Sequence, residues 1–99
     1  MTTVRISLPA GDLASRHLAV AERQKIESYL NDKQKVEVDL KEVESISESY
    51  SDELFGVLVA KLGLVGVLNL LQVINANQTT LKSIAIVMHR RSLEKNNKQ

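Results

Sequence analysis

Four serines at alternate positions, Ser45, Ser47, Ser49 and Ser51, run directly into Asp52-Glu53. A serine with an acid three residues later, as in Ser49 and Asp52, has the spacing of a helix N-cap. Its hydroxyl satisfies a first-turn N–H, a contribution of about 1 kcal/mol. The adjacent carboxylates also invite an acid/base reading. Neighbouring helical residues point about 100° apart, however, so the two do not converge on one proton. Negative charge at a helix start is the simpler account. The sequence has no P-loop, dinucleotide fingerprint or Gly-x-Ser-x-Gly elbow. It has no cysteine, and its two histidines, His17 and His89, lie far apart. Neither an enzyme, a metal site nor a cofactor is expected.

The elements that must position this stretch follow from hydrophobic period. Val4, Ile6 and Leu8 alternate with Arg5 and Ser7, predicting a strand over 3–8 that Pro9, Gly11 and Asp12 break. A helix is predicted over 15–30, with Ser15 at its N-cap and Ala19, Ile26, Leu30 and the stem of Arg23 on one side. A second strand over 35–40 turns Val36, Val38 and Leu40 inward and Glu37 and Asp39 outward. Val43 and Ile46 anchor the loop that follows. A second helix over 50–62 places Tyr50, Leu54, Val57 and Leu58 at helical spacing, and Gly63 ends it. Residues 64–69 form a short connection, 70–74 a third strand, and Asn75 or Asn77 caps a last helix burying Leu81, Ile84, Ala85 and Met88.

The order predicts a small two-layer α/β domain, βαβαβα, with a parallel sheet in strand order 1-2-3. A parallel sheet covered on both faces has continuous apolar strands. Here two strands alternate, which puts the helices mainly on one face. The turns at the carboxyl ends of the strands then gather at one edge, where helix N-termini present unpaired N–H groups. That edge brings together Asp12, Ser15, Arg16, Ser47, Glu48, Ser49, Asp52, Asn75 and Asn77.

Ninety-nine residues, 43% apolar and 25% charged, suit one soluble domain. The net charge of +1 conceals a strong asymmetry. Seven acids face one lysine between Val36 and Glu53, whereas the tail from His89 carries Arg90, Arg91, Lys95 and Lys98 against Glu94. The tail, about 90–99, reads as a frayed, solvated helix end. With only three aromatics and no broad basic face, nucleic acid is not an expected partner. The apolar stretch over 54–74 contains Lys61, Asn69 and three glycines, so no membrane span is expected. The first residues lack the apolar core of a signal peptide.

The strand–serine loop–helix unit resembles STAS domains (sulphate transporter and anti-sigma-factor antagonist). It resembles more closely a STAS-like family of uncharacterised bacterial domains. The second resemblance rests on Ser15-Arg16 with Ala19, on Val38-Asp39-Leu40 with Val43, and on Ser49-Tyr50-Ser51-Asp52-Glu53-Leu54-Phe55-Gly56. Ile74-Asn75-Ala76-Asn77 and Arg90-Arg91 complete it. It implies a STAS-like fold and a cytoplasmic regulatory module that works with a histidine-kinase-like ATPase.

Alignment with the antagonists makes Ser49 the candidate phosphate acceptor. Their Asp-Ser-Ser-Gly is replaced here by Ser47-Glu48-Ser49-Tyr50, and Glu48, Asp52 and Glu53 would oppose an added phosphate. The expected interaction surface comprises Arg16, Ser47, Glu48, Tyr50, Asp52, Asn75 and Asn77. A small-ligand or nucleotide-sensing domain using the same edge is the alternative. A third reading is an oligomerisation unit, such as a homodimer, pairing through its sheet face or edge strand.

Overall fold

A computed structural model describes residues 3–97. The elements in order are β1 (Thr3–Ser7), β2 (Gly11–Leu13), α1 (Arg16–Asn31), β3 (Lys35–Asp39) and β4 (Val43–Ile46). There follow α2 (Glu48–Ser51), a π turn (Asp52–Gly56), α3 (Val57–Leu62), α4 (Leu64–Leu70), β5 (Leu71–Ile74) and α5 (Gln78–Asn97). Strands β1, β3 and β5 form a parallel sheet in that order, the topology the alternating pattern predicts. Its register aligns Val4, Val36 and Leu71 in one row and Ile6, Val38 and Val73 in another, all on the core face. The intervening row, Arg5, Glu37 and Gln72, lies on the opposite face. There Arg5 donates to Glu37 at 3.0 Å.

The second, two-stranded sheet has no counterpart among the expected elements. After β1 and β3 the chain bends, at Pro9-Ala10 and Lys41-Glu42, and the two paths pair again in parallel as β2 and β4. Gly11 has φ +91°, a conformation that suits glycine, beside a register shift between Gly11 and Asp12. Strands of three and four residues are too short to show a period, so these segments read as loops.

Helix α1 buries Ala19, Arg23, Ile26 and Leu30, as its spacing predicts. The helix from α2 through α3 departs from expectation in phase. The π turn inserts extra backbone, so Leu54 and Phe55, then Leu58 and Val59, all face the core while Val57 rotates partly out. At Gly63, φ +84°, the chain turns by 113° into α4. No single helix among the described residues is long and apolar enough to cross a membrane.

Helix α5 differs more. It packs against the π turn, α2 and α3. Ile84, Val87 and Met88 are thereby buried, but Leu81 and Ala85, expected inside, are exposed. The helix also continues through residues expected to fray, and Arg90 and Arg91 make ion pairs instead of forming a solvated tail.

Candidate functional site

The three turns predicted to gather do gather, and hydrogen bonds stitch them. Ser45 donates to Asp12 at 2.6 Å across the β2–β4 pair. The Ser47 hydroxyl donates to the Ala14 carbonyl at 2.8 Å, and the Ser47 N–H to the Leu13 carbonyl at 2.8 Å. From the third turn, Asn77 donates to the Glu44 carbonyl at 3.1 Å. Its Oδ1 accepts the Thr80 N–H at 2.8 Å, so Asn77 is the residue that caps α5.

Asn75, in the left-handed region at φ +60°, donates to Asp39 at 3.0 Å. Asn tolerates this conformation better than most residues. That bond, with the Lys41 N–H, holds the Asp39 carboxyl below the usual carboxylate range. Asp39 is thus enclosed by the turns at the end of the open face, with both partners accounted for.

The cap of α2 is Ser47, not Ser49. Ser47 has extended backbone and its Oγ accepts the Tyr50 N–H at 3.0 Å. The helix begins two residues earlier than predicted because Ser47 is already anchored to Leu13 and Ala14, contacts that the local Ser-x-x-Asp pattern cannot show. Ser49 therefore lies in the first turn, exposed, and its hydroxyl takes no part in the cap. Ser15 occupies the N-cap position of α1 without a side-chain bond.

Two expected contact residues turn inward. Tyr50 is only 1% exposed and forms part of the core. Burial, with a smaller push from Glu22, raises its hydroxyl to about 12. Asp52 is buried in a cluster of arginines. Arg91 donates to both its oxygens, at 2.9 and 2.7 Å, and Arg16 adds a contact at 3.2 Å. The Arg91 bonds, more than any other influence, hold the Asp52 carboxyl low, and Asp52 in turn raises Arg91.

Glu53 extends the cluster, accepting from Arg16 at 3.2 Å and from Arg23 at 2.9 Å. Arg23 continues to Glu27 at 2.6 Å, and Glu27 to Lys61 at 3.2 Å. Cations and anions alternate across α1, the π turn, α3 and α5. Such pairs offset desolvation only when their hydrogen bonds are well formed. Asp52 and Glu53 are therefore arginine partners one turn inside the helix, and not charges at its start.

Gly56 belongs to the same device. A Cβ there would collide with Asp52 Oδ1 and lie 3.1 Å from Arg91 Cγ. The pairing of Asp52 with Gly56 four residues later thus follows from one constraint: the carboxylate lies over the glycine, and Arg91 packs against both. The sequence signal was the Asp52–Gly56 spacing itself, but its meaning depended on an arginine nearly forty positions away.

Of the residues expected at the edge, Asp12, Ser15, Arg16, Glu48, Ser49, Asn75 and Asn77 are exposed. Glu48 is paired with Arg90 of α5, which raises that arginine. Beside the pair lies a shallow cleft of about 220 Å³ lined by Thr79, Lys82, Ser83, Ile86 and Val87.

A parallel sheet with its helices on one face, and a capped serine turn at the carboxyl edge, define a small α/β domain of STAS-like kind. Residues 23–81, more than half the chain, match the family described as a STAS-like domain of unknown function, and the chain belongs to that family. The matched stretch holds the serine turn, the π turn, Asn75 and Asn77, but not Arg16, Arg90 or Arg91. Comparison with curated proteins found no match, and neither did comparison with solved structures.

Proposed function

We propose that this chain is a non-enzymatic regulatory module of the cytoplasm, docking a protein partner through the serine-turn edge, with Ser49 as the position where added charge switches binding. The partner class implied by the STAS resemblance is a histidine-kinase-like ATPase. The observation that carries the proposal is the release of Ser49 from capping. Ser47 holds the helix start, which leaves Ser49 exposed in the first turn with its hydroxyl outside the cap.

A phosphate at Ser49 would sit near the positive end of the helix but beside Glu48. Arg90, already paired with Glu48, is the cation placed to respond. Modification would then loosen Glu48 from α5 and change the charge that a partner meets. Arg16, Asn75 and Asn77 complete the proposed contact surface, while Tyr50 and Asp52 support it from within.

The test mixes the purified chain with a candidate histidine-kinase-like ATPase, with and without ATP. Mass spectrometry locates any phosphoserine, and calorimetry measures binding of Glu48→Lys, Ser49→Ala and Ser49→Asp. Weakening by tenfold or more for Glu48→Lys and Ser49→Asp, about 1.4 kcal/mol or above, with Ser49→Ala near wild type, supports the reading. Equal affinity for all four proteins removes the serine edge as the interface.

A further inference from the structure

β5 is one of the two edge strands of the three-stranded sheet, and the one that adjoins α4. In a parallel ladder the N–H and C=O of one residue point to the same side, and successive residues alternate. The Ile74 carbonyl accepts the Leu40 N–H at 2.9 Å, so Ile74 faces inward along the sheet and Val73 faces out. The neighbouring outward N–H, that of Leu71, is already bonded to the Val67 carbonyl. Val73 is therefore the residue of β5 that offers both a donor and an acceptor on the open side.

Alongside this edge runs an apolar groove of about 420 Å³. Leu64 and Leu68 of α4 form one wall, Leu71 and Val73 the floor, and Leu81 and Met88 of α5 the other wall. Leu68 is 59% exposed and Leu81 48% exposed, although Leu81 lies on the stripe whose period marks it for burial. No carboxylate lines the groove, and its one ionisable group is His89. The cations of α5 on the adjoining surface, Lys82 and Arg90, line other clefts, and Arg90 is occupied by Glu48.

We infer that two copies of this chain pair through β5, antiparallel about a two-fold axis at Val73, with Leu81 of each copy seated against the groove of the other. An antiparallel hydrogen-bonded pair is one in which two opposed residues exchange both N–H···O bonds. A residue with both groups outward can make that exchange with its own symmetry mate, which is the requirement for an isologous contact. The lining presents no carboxylates to each other, and like charges placed directly opposite destabilise a strand pair. The open face of the sheet is a poorer candidate, since it carries the Arg5–Glu37 pair and Gln72. Pairing through β5 extends three strands to a continuous six and closes an edge that otherwise templates aggregation.

Sedimentation equilibrium over an approximately hundred-fold range of concentration tests the mass, and hydrogen exchange of the Val73 amide tests the strand pairing. The expected result is a dimer at high concentration whose Val73 amide exchanges at least tenfold more slowly than in the dilute monomer. Leu81→Asp and Leu68→Asp, both at exposed positions, should remain folded by circular dichroism and stay monomeric. A wild-type chain that is monomeric throughout overturns the inference. So does a dimer that survives both substitutions, or one in which Val73 exchange is independent of concentration.

Discussion

Arg91 of α5 closes on Asp52 of the π turn through both carboxylate oxygens, Nε to Oδ1 at 2.9 Å and Nη2 to Oδ2 at 2.7 Å. Because Arg16 of α1 meets the same carboxylate at 3.2 Å, one side chain joins three helical segments. Asp52→Asn keeps the shape but removes the charge, and should lower stability by about 1–3 kcal/mol at neutral pH. Its acid response should change as well. The folded carboxyl lies below its ordinary range, so in the folded state it binds a proton less readily than in the unfolded chain. The resulting stability is full above about pH 4 and is lost as pH falls through the lowered folded value. Urea midpoints measured across this window should fall less steeply for Asp52→Asn than for wild type. The residual slope should contain Asp39, whose carboxyl is held low in the same direction by Asn75.

Gly56→Ala should destabilise although alanine favours helix by about 1 kcal/mol. The new methyl would meet the Asp52 carboxylate and crowd Arg91, an overpacking cost of about 1–3 kcal/mol. Chemical denaturation of Gly56→Ala, Asp52→Ala and the double variant checks the cause. Removing the carboxylate relieves the collision, so the double variant should lose less than the two single losses combined. Strict additivity would mean that the glycine is required for another reason.

Ser47→Ala should cost about 1 kcal/mol or somewhat more, because the same side chain caps α2 and donates to Ala14. Ser49→Ala should change stability by less than about 0.5 kcal/mol, as an exposed surface substitution does. Thermal denaturation of the two variants side by side separates them. A reversed order would return the cap to Ser49 and withdraw the freedom of its hydroxyl.

Strand order and the buried side of α1 were legible because each rests on a local period: Val36, Val38 and Leu40 two apart, Ala19, Arg23, Ile26 and Leu30 at helical intervals. The gathering of Ser47, Asn75 and Asn77 followed from topology alone. What stayed hidden needed a long-range partner. Ser47 outcompetes Ser49 as cap because Leu13 and Ala14 hold it, some thirty-three positions away. Arg90 and Arg91 looked like tail residues until α5 brought them to Glu48 and Asp52. The π turn hid itself by shifting the period within a continuous apolar run, which moves Val57 outward and Phe55 and Val59 inward. Leu81 and Ala85 have the pattern of core residues, and the pattern cannot say that α5 turns Ile84, Val87 and Met88 toward the π turn, α2 and α3 instead.

Tyr50 supplies a test at the opposite end of the pH scale. Its hydroxyl is raised from an ordinary value near 10 to about 12, chiefly by burial, and Glu22 adds to the shift. A phenol whose folded value is raised ionises more readily when unfolded, so its contribution to stability is present below about pH 10 and is lost as pH rises from 10 to 12. Tyr50→Phe keeps the ring in the core and removes the ionisable group. The variant should unfold within about 1 kcal/mol of wild type at neutral pH, since the ring supplies most of the burial. Above pH 10 the wild-type urea midpoint should fall faster than that of Tyr50→Phe, and the difference isolates this phenol from the lysines common to both proteins. Parallel curves for the two proteins through that range would place the Tyr50 hydroxyl in contact with solvent, and the serine turn would then rest on a less rigid support than the buried ring provides.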